Sequence, residues 1–199
     1  MTRYIADYAS YQGALTVADL NRAEFQVVNF KTSHTLTTKS VHPRIAAEVA
    51  SAKALKMGIG TFHWLTGDAP GADQARYAFG RLSTLGLTAG TMHTVDVEEQ
   101  TGTDDAESAP TFAHVRDYVT TMKSLLGRPI MLYTGDWWWT APGRSWNGAG
   151  LTPFLMAAPN VGYLDAYPGA TSPHWKAGYG GWTNLSAMQY AVDTLIYPG

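Results

Sequence analysis

The stretch "HTVDVEEQ", residues 93–100, places acidic side chains at the end of what its pattern predicts to be a β-strand. Side chains alternate between the two faces of a strand, so Asp96 and Glu98 point to one side while Val95 and Val97 point to the other. Such a stretch is typical either of a solvated strand end or of two carboxylates held together for chemistry. The surrounding sequence has to distinguish these two interpretations.

Outward from this stretch, short apolar runs alternate with helical patterns, which indicates an α/β fold of parallel strands joined by right-handed crossovers. The predicted strands are RYIAD (3–7), QVVNFK (26–31), IGTFHW (59–64), a fourth within LTAGTMHTVDVE (87–98), and PIMLYTG (129–135). The predicted helices are 43–57 with Pro43 in its first turn and Gly58 as its stop, 71–85 before Gly86, and 109–126 with Ser108 as its candidate cap and Gly127 as its stop. Residues 134–187 show no helical period, but PFLMAA (153–158), VGYLDAY (161–167) and SAMQYA (186–191) are compatible with short strands.

The composition excludes several classes of function. The 199 residues are 45% apolar and 15% charged, as expected for one globular domain over residues 1–199. A net charge of −2 offers no basic field for nucleic acid or an anionic membrane. The absence of cysteine removes thiolate chemistry, and the six histidines form no zinc motif, so no zinc site is expected. General acid catalysis by carboxyl groups needs neither a metal nor an organic cofactor. Without a Gly-x-Ser-x-Gly elbow, carboxylates are the best candidates for catalysis.

Four acids fall at the carboxyl ends of predicted strands: Asp7, Asp96, Glu98 and Asp193. In a barrel of parallel strands these ends meet at one rim, where such folds place their active sites. Like charges held close together raise the pKa of at least one carboxyl group, which supplies a protonated acid at neutral pH. Asp96 and Glu98 lie about 6.6 Å apart along the strand, and paired carboxyl groups of glycosidases lie about 5 to 9.5 Å apart.

Several stretches also resemble, in order along nearly the whole chain, the family 25 glycoside hydrolases, which are the Chalaropsis-type lysozymes of many phage endolysins. They are DYASYQG (7–13), KALKMGIGTFHW (53–64), VDVEEQ (95–100), GRPIMLYTGDWWW (127–139) and MQYAVD (188–193). Two positions depart from the family's pattern. His34 stands near an acidic position of a Lys-Ala-Thr-Glu-Gly-like run, and Met188 replaces the Trp of a Trp-Gln-Tyr run.

The resemblance implies an irregular TIM-like β/α barrel with fewer than eight helices. It implies hydrolysis of the β-1,4 bond between N-acetylmuramic acid and N-acetylglucosamine in peptidoglycan. Carried over position by position, Glu98 is the proton donor, and Asp96 orients the acetamido group or stabilises the positive charge that develops at the sugar. Asp7 and Asp193 complete the acidic floor of the site.

Aromatic and amide side chains provide candidates for sugar binding. These are Tyr133, Trp137, Trp64, Tyr11 and Gln189. Three consecutive tryptophans, 137–139, cannot all face one side of an extended chain, so at least one is expected to pack inside. His63 lies in an apolar strand and is expected to be a hydrogen-bonded core residue rather than a catalyst.

The remaining expectations concern the protein's setting. The partner is the glycan strand of bacterial peptidoglycan, and the protein is expected to be a monomer. Without a signal peptide, a phage endolysin would be made in the host cytoplasm and act on the cell wall. A missing wall-binding module after residue 199 is compatible with this interpretation. Two alternatives stay open, a non-catalytic peptidoglycan-binding barrel and a hydrolase of another wall bond, such as an amidase or a chitinase-like enzyme.

Overall fold

The computed structural model of the chain describes residues 4–10, 25–98, 107–141, 146–157 and 171–189. Within them, seven parallel strands form one sheet in which each strand pairs with the next along the chain. The strands are β1 (Tyr4–Tyr8), β2 (Phe25–His34), β3 (Gly58–Trp64), β4 (Met92–Asp96), β5 (Met131–Tyr133), β6 (Leu155–Ala157) and β7 (Ala187–Met188). Asp7 of β1 and Met156 of β6 line the same cleft, so the sheet is curled rather than flat.

Four α-helices are present in the described residues: α1 (Ile45–Ala54), α2 (Gly71–Leu85), α3 (Phe112–Leu126) and α4 (Asp136–Trp139). A single 3-10 turn covers Pro173–Trp175. This arrangement confirms the predicted irregular β/α barrel with fewer than eight helices. None of these helices has both the length and the apolar character needed to cross a bilayer.

Helix α2 has the predicted bounds because its sequence carries both a helical stripe and a stop signal. Ala75, Ala78 and Leu82 recur at helical spacing and are fully buried. Gly86 follows with φ 63°, a left-handed conformation that glycine adopts without a steric penalty, and its N–H group bonds to the last carbonyls of the helix.

Helix α1 is shorter than predicted at both ends. It begins at Ile45, so Pro43 precedes the helix instead of lying in its first turn. The backbone reverses at Lys56, which has φ 55°, and the N–H groups of Lys56 and Met57 bond to helix carbonyls. Gly58 is therefore not the stop of this helix but the first residue of β3.

Helix α3 starts later than predicted, and Ser108 is not its cap. Thr111 accepts a hydrogen bond from the backbone N–H of His114, and the His114 side chain bonds back to the Thr111 backbone, which forms a capping box. Ser108 is bound elsewhere, because its N–H donates to Asp68 and its carbonyl accepts from Gly67. The predicted cap was wrong because these contacts come from a distant loop.

Aromatic packing holds the irregular second half of the chain against the sheet. Trp138 and Trp139 are each 1% exposed, whereas Trp137 is 50% exposed, which confirms that the three tryptophans do not share a side. The indole N–H of Trp139 donates to the Trp146 carbonyl at 2.9 Å, and that of Trp182 donates to the Thr152 carbonyl at 2.9 Å. Large rings with satisfied N–H groups bury much apolar area without long regular elements.

Two histidines are built into the layer between the sheet and the helices. Each is buried with both ring nitrogens hydrogen-bonded, His63 to Ser33 and Gln74 and His93 to Thr61 and Tyr118. The prediction that His63 is a core residue is thus confirmed. Burial lowers the pKa of His63 well below its usual value, and burial together with the Arg128 charge lowers the pKa of His93 to about 3.

The lowered pKa values of these buried histidines predict that the folded chain loses stability as the pH falls. Between about pH 6.5 and pH 3, the unfolded chain binds a proton at His93 that the folded chain does not. As the pH falls through this range, the free energy of unfolding therefore decreases by roughly 1.4 kcal/mol per pH unit because of His93. Above about pH 6.5, His93 makes no contribution to this pH dependence. Urea unfolding between pH 7 and pH 4 should show a shallower pH dependence for His93→Gln than for the unmodified chain. An unchanged slope would contradict this assignment.

Candidate active site

A cleft of about 390 Å³ opens at the carboxyl ends of the strands, where parallel α/β folds bind their ligands. Its wall contains acids, one lysine, amides and aromatic rings. The lining residues are Asp7, Asn29, Lys31, His34, Ser40, Phe62, Trp64, Thr94, Asp96, Glu98, Tyr133, Met156 and Gln189.

The register of the central strands brings the predicted acidic pair into this cleft. Asp96 is the last residue of β4 and pairs with Trp64 of β3 and Tyr133 of β5, so the three side chains point to the same side. β4 is shorter than predicted, and Glu98 lies two residues beyond it. Backbone pairing nevertheless continues, because the Val97 N–H donates to the Tyr133 carbonyl at 2.9 Å. Glu98 therefore keeps the same face as Asp96, as the alternation predicts.

Asp7 reaches the cleft from the carboxyl end of β1 and is oriented by its neighbour on β2. Asn29 Nδ2 donates to Asp7 Oδ1 at 2.7 Å. Asn29 pairs in turn with Gly60 of β3, where a Cβ would approach Asn29 Oδ1 to 2.6 Å. Only glycine leaves room here for the amide that holds the carboxylate in place.

A β-bulge in β2 turns one further side chain, His34, into the cleft. Lys31 lies two residues after Asn29 and faces the cleft by regular alternation, paired with Phe62. Ser33 then pairs with His63, so Thr32 is the extra residue. Strict alternation would have placed Ser33 inside and His34 outside, but because of the bulge His34 lines the cleft together with Lys31.

The side chains around Trp64 form one connected group. His34 stacks on the Trp64 ring with centroids 5.8 Å apart, and Lys31 Nζ lies 5.0 Å from the Trp64 centroid. His34 Nε2 donates to Glu107 Oε2 at 2.8 Å, and Lys39 Nζ donates to Glu107 Oε1 at 2.9 Å. Trp64 thus lines the cleft as predicted, but its ring already contacts a histidine and an ammonium group.

Lys31 and Glu107 are the members of this group that the sequence reading missed. The signal for Lys31 was present, because it is a cation at the end of the apolar run QVVNFK, two residues after Asn29. Glu107 gave no comparable signal, since it follows a polar stretch and resembles a solvated approach to a helix.

Burial controls the protonation of the acids in the cleft. Asp96 is 7% exposed, and burial together with the Glu98 charge raises its pKa well above the usual range, although Lys31 opposes this. Burial also raises the pKa of Glu98, opposed by its hydrogen bond with Asp96 and by Lys31. Burial raises the pKa of Asp7, opposed by the Asn29 hydrogen bond. Because the two carboxyl groups interact directly, Asp96 and Glu98 titrate as a unit, and burial favours a form of the pair that keeps a proton.

The cleft also presents acceptor atoms that have no partner within the described part of the chain. They are Asp96 Oδ1, Asn29 Oδ1 and Gln189 Oε1, and all three are buried. Unsatisfied buried acceptors cost free energy, which a ligand carrying N–H or O–H groups recovers. Among the described residues, no group of three His, Asp or Glu side chains is arranged to hold a metal ion.

The structure brings together most of the predicted site residues. Asp7, Asp96, Glu98, Trp64, Tyr133 and Gln189 all line the cleft. Trp137 is half exposed with its ring over Gly135 and is not among the lining residues, so its role as a sugar platform stays a prediction. Tyr11 and Asp193 lie outside the described residues.

Comparison with known proteins gives a consistent result. A family model described as glycosyl hydrolases family 25 matches residues 6–196. No curated protein sequence matches the chain.

Solved structures share its fold at low sequence identity. A muramidase from Trichobolus zukalii is 21% identical, with a TM-score of 0.72 over 98% of this chain and 89% of that one. A bacterial lysozyme from Streptomyces coelicolor is 17% identical, with a TM-score of 0.70 over 94% of this chain and 82% of that one. The catalytic domain of an endolysin from a bacteriophage of Listeria monocytogenes is 14% identical, with a TM-score of 0.57 over 79% of this chain and 74% of that one.

The contact between Gly60 and Asn29 predicts a measurable change at Asp7. In Gly60→Ala the new methyl group displaces the Asn29 amide, and since that amide lowers the pKa of Asp7, the pKa rises further. Carboxyl ¹³C NMR titration should detect the rise. Gly80→Ala is the matched control, because a Cβ there meets nothing within 4 Å. The control should leave Asp7 unchanged and stabilise α2 by up to about 1 kcal/mol. Identical Asp7 titrations in both variants would refute the link.

Proposed function

The chain belongs to glycosyl hydrolases family 25, and on that premise we propose that it is a muramidase acting on bacterial peptidoglycan. Membership of the family makes it a glycoside hydrolase. The bond that we assign is the β-1,4 linkage between N-acetylmuramic acid and N-acetylglucosamine. The similarity to proteins named as a muramidase and a lysozyme supports this choice. The observation that carries the proposal is the hydrogen-bonded Asp96–Glu98 pair in a largely buried cleft.

In the proposed reaction, Glu98 protonates the glycosidic oxygen while the bond between that oxygen and the sugar carbon breaks. Glu98 is half-buried at the cleft wall, and its raised pKa favours the protonated form that a general acid needs near neutral pH. Water finally supplies a hydroxyl group to the sugar carbon and a proton to the enzyme. No metal or organic cofactor is required for these steps.

Asp96 has a different role in this scheme because it is more deeply buried. When Glu98 binds the leaving oxygen, the shared proton goes to that oxygen and Asp96 keeps a negative charge. Its unpartnered Oδ1 is then available to accept from the acetamido N–H of the substrate, or to stabilise the positive charge at the sugar. Asp7 and Asn29 hold the adjacent floor of the cleft.

Substitution of the proposed acid tests this function. Glu98→Gln keeps the size of the side chain and its ability to form hydrogen bonds, but its amide group has no acidic proton to transfer to the glycosidic oxygen. Release of reducing ends from purified peptidoglycan should fall by roughly 10²- to 10⁴-fold while the variant still binds the wall. Asp117→Asn is a control, because Asp117 is an exposed helix residue paired with Arg116.

The products distinguish the alternatives. Mass spectrometry should find muramic acid at each new reducing end. Free stem peptides or N-acetylglucosamine at the reducing end would assign another wall bond. Binding by the unmodified protein without any reducing ends would show a non-catalytic wall-binding barrel. Full activity of Glu98→Gln would remove Glu98 as the acid.

We also propose that the protein serves as a phage endolysin, as the likeness to an endolysin catalytic domain suggests. An endolysin accumulates in the host cytoplasm and reaches the wall only after the membrane is perforated. Bacteria that produce this chain should therefore keep growing until their membrane is permeabilised, and then lyse rapidly, as followed by optical density. Lysis without permeabilisation would contradict the role but not the muramidase activity.

A further inference from the structure

Lys31 is the only lysine or arginine among the described residues that line the cleft, and it is only 6% exposed. Burying an ammonium group costs free energy unless opposite charges or polar partners face it. The Trp64 ring, 5.0 Å from Nζ, provides one favourable contact. An aromatic face alone is a weak replacement for water, so the buried cation needs a compensating negative charge.

The nearby carboxylates provide that charge. Burial lowers the pKa of Lys31, whereas Asp96, Glu107 and Glu98 raise it, in that order of strength, and Lys39 opposes them. The Glu107 carboxylate is already bound by Lys39 at 2.9 Å and by His34 at 2.8 Å. Asp96 and Glu98 are therefore the acids whose charge is left for Lys31 to balance.

We propose that Lys31 is a positioning residue, the counter-ion that holds the Asp96–Glu98 pair in its singly charged form. With one shared proton the pair carries one negative charge, which Lys31 neutralises. A second proton would leave the ammonium group unbalanced, and loss of the shared proton would leave a surplus negative charge in a low-dielectric cleft. The assignment goes beyond the proposed muramidase function but rests on it for its effect on rate.

The other ionisable groups around Lys31 do not replace it in this role. On β2, His34 faces Lys31, and burial together with the Lys31 charge lowers its pKa and favours the neutral form. On β3, His63 is fully buried and neutral. On β1, Asp7 is a carboxyl group, which cannot supply positive charge, and burial raises its pKa.

The geometry also explains how a lysine of an apolar strand reaches the acids. Lys31 pairs with Phe62 of β3, and Phe62 pairs with Thr94 of β4, two residues before Asp96. Lys31, Phe62 and Thr94 share the inner face of the sheet. Lys31 therefore lies in the row of inward-facing side chains next to the row that contains Asp96. The bulge at Thr32 turns His34 to the same face, so His34 also lines the cleft.

The experiment compares three variants of the full chain. Lys31→Met removes the charge with little change in volume, and Lys31→Arg retains the charge. Lys123→Met is the control, because it removes an exposed lysine of α3 that does not line the cleft. Carboxyl ¹³C NMR follows the titration of Asp96 and Glu98 directly. The pH dependence of kcat/KM on peptidoglycan follows its consequence.

An opposite charge at close range lowers a carboxyl pKa, so its removal raises both pKa values of the pair. In Lys31→Met the carboxyl titration and both limbs of the activity profile should move to higher pH by about one unit or more. Lys31→Arg and Lys123→Met should keep the original positions. A structural role for Lys31 would lower activity equally at every pH and leave the limbs in place, and that result would overturn the proposal.

The two readouts separate this inference from the proposed function. If Glu98→Gln remains active, the muramidase mechanism fails, but the NMR titration of Lys31→Met still decides whether Lys31 is the counter-ion. Unchanged carboxyl titrations in folded Lys31→Met, or an equal displacement in Lys123→Met, would refute the role of Lys31 as the counter-ion. A displaced titration with an unshifted activity profile would refute its control of the rate.

Discussion

The structure depends on the placement of two carboxyl groups side by side in a cleft that water enters only partly. Burial raises the cost of ionising both carboxyl groups, and the Glu98 charge adds to that cost for Asp96. Such a pair persists only where a proton is shared and a cation lies nearby, and Lys31 is that cation. The parallel register of β2, β3 and β4 brings all three side chains to one end of the sheet. A glycosidase needs one carboxyl group protonated and one charged at the same pH, and this arrangement supports both.

The two faces of the same strands meet opposite physical demands. On β3, Trp64 faces the polar cleft while His63 faces the helical layer. In that layer, burial keeps His63 and His93 neutral, and hydrogen bonds satisfy their ring nitrogens. The apolar packing of α2 and α3 against the outer face gives the strands the rigidity that fixed carboxyl positions require.

The rim of the cleft is held by contacts between segments far apart in the chain. Glu107 binds His34 across 73 positions, and Ser108 binds the loop at Gly67 and Asp68. These bonds fix the segment before α3 against the ends of β2 and β3. Glu107 then compensates Lys39 and orients His34, which leaves Lys31 to the acid pair. The ion pairs of Glu107 at the rim therefore influence the protonation of the Asp96–Glu98 pair.

The sequence by itself determined what depends on neighbours a few positions apart. The alternation of β4 predicted that Asp96 and Glu98 share a face, and the stripe of α2 with Gly86 predicted its bounds, because both signals are local. Only the tertiary structure decided the rest. The bulge that turns His34 inward depends on how β2 pairs with β3, and the cap at Thr111 depends on contacts that occupy Ser108. The partners of Glu107, which are His34 and Lys39, lie far away in the chain. No local sequence pattern specifies such contacts, because they depend on how the whole chain packs.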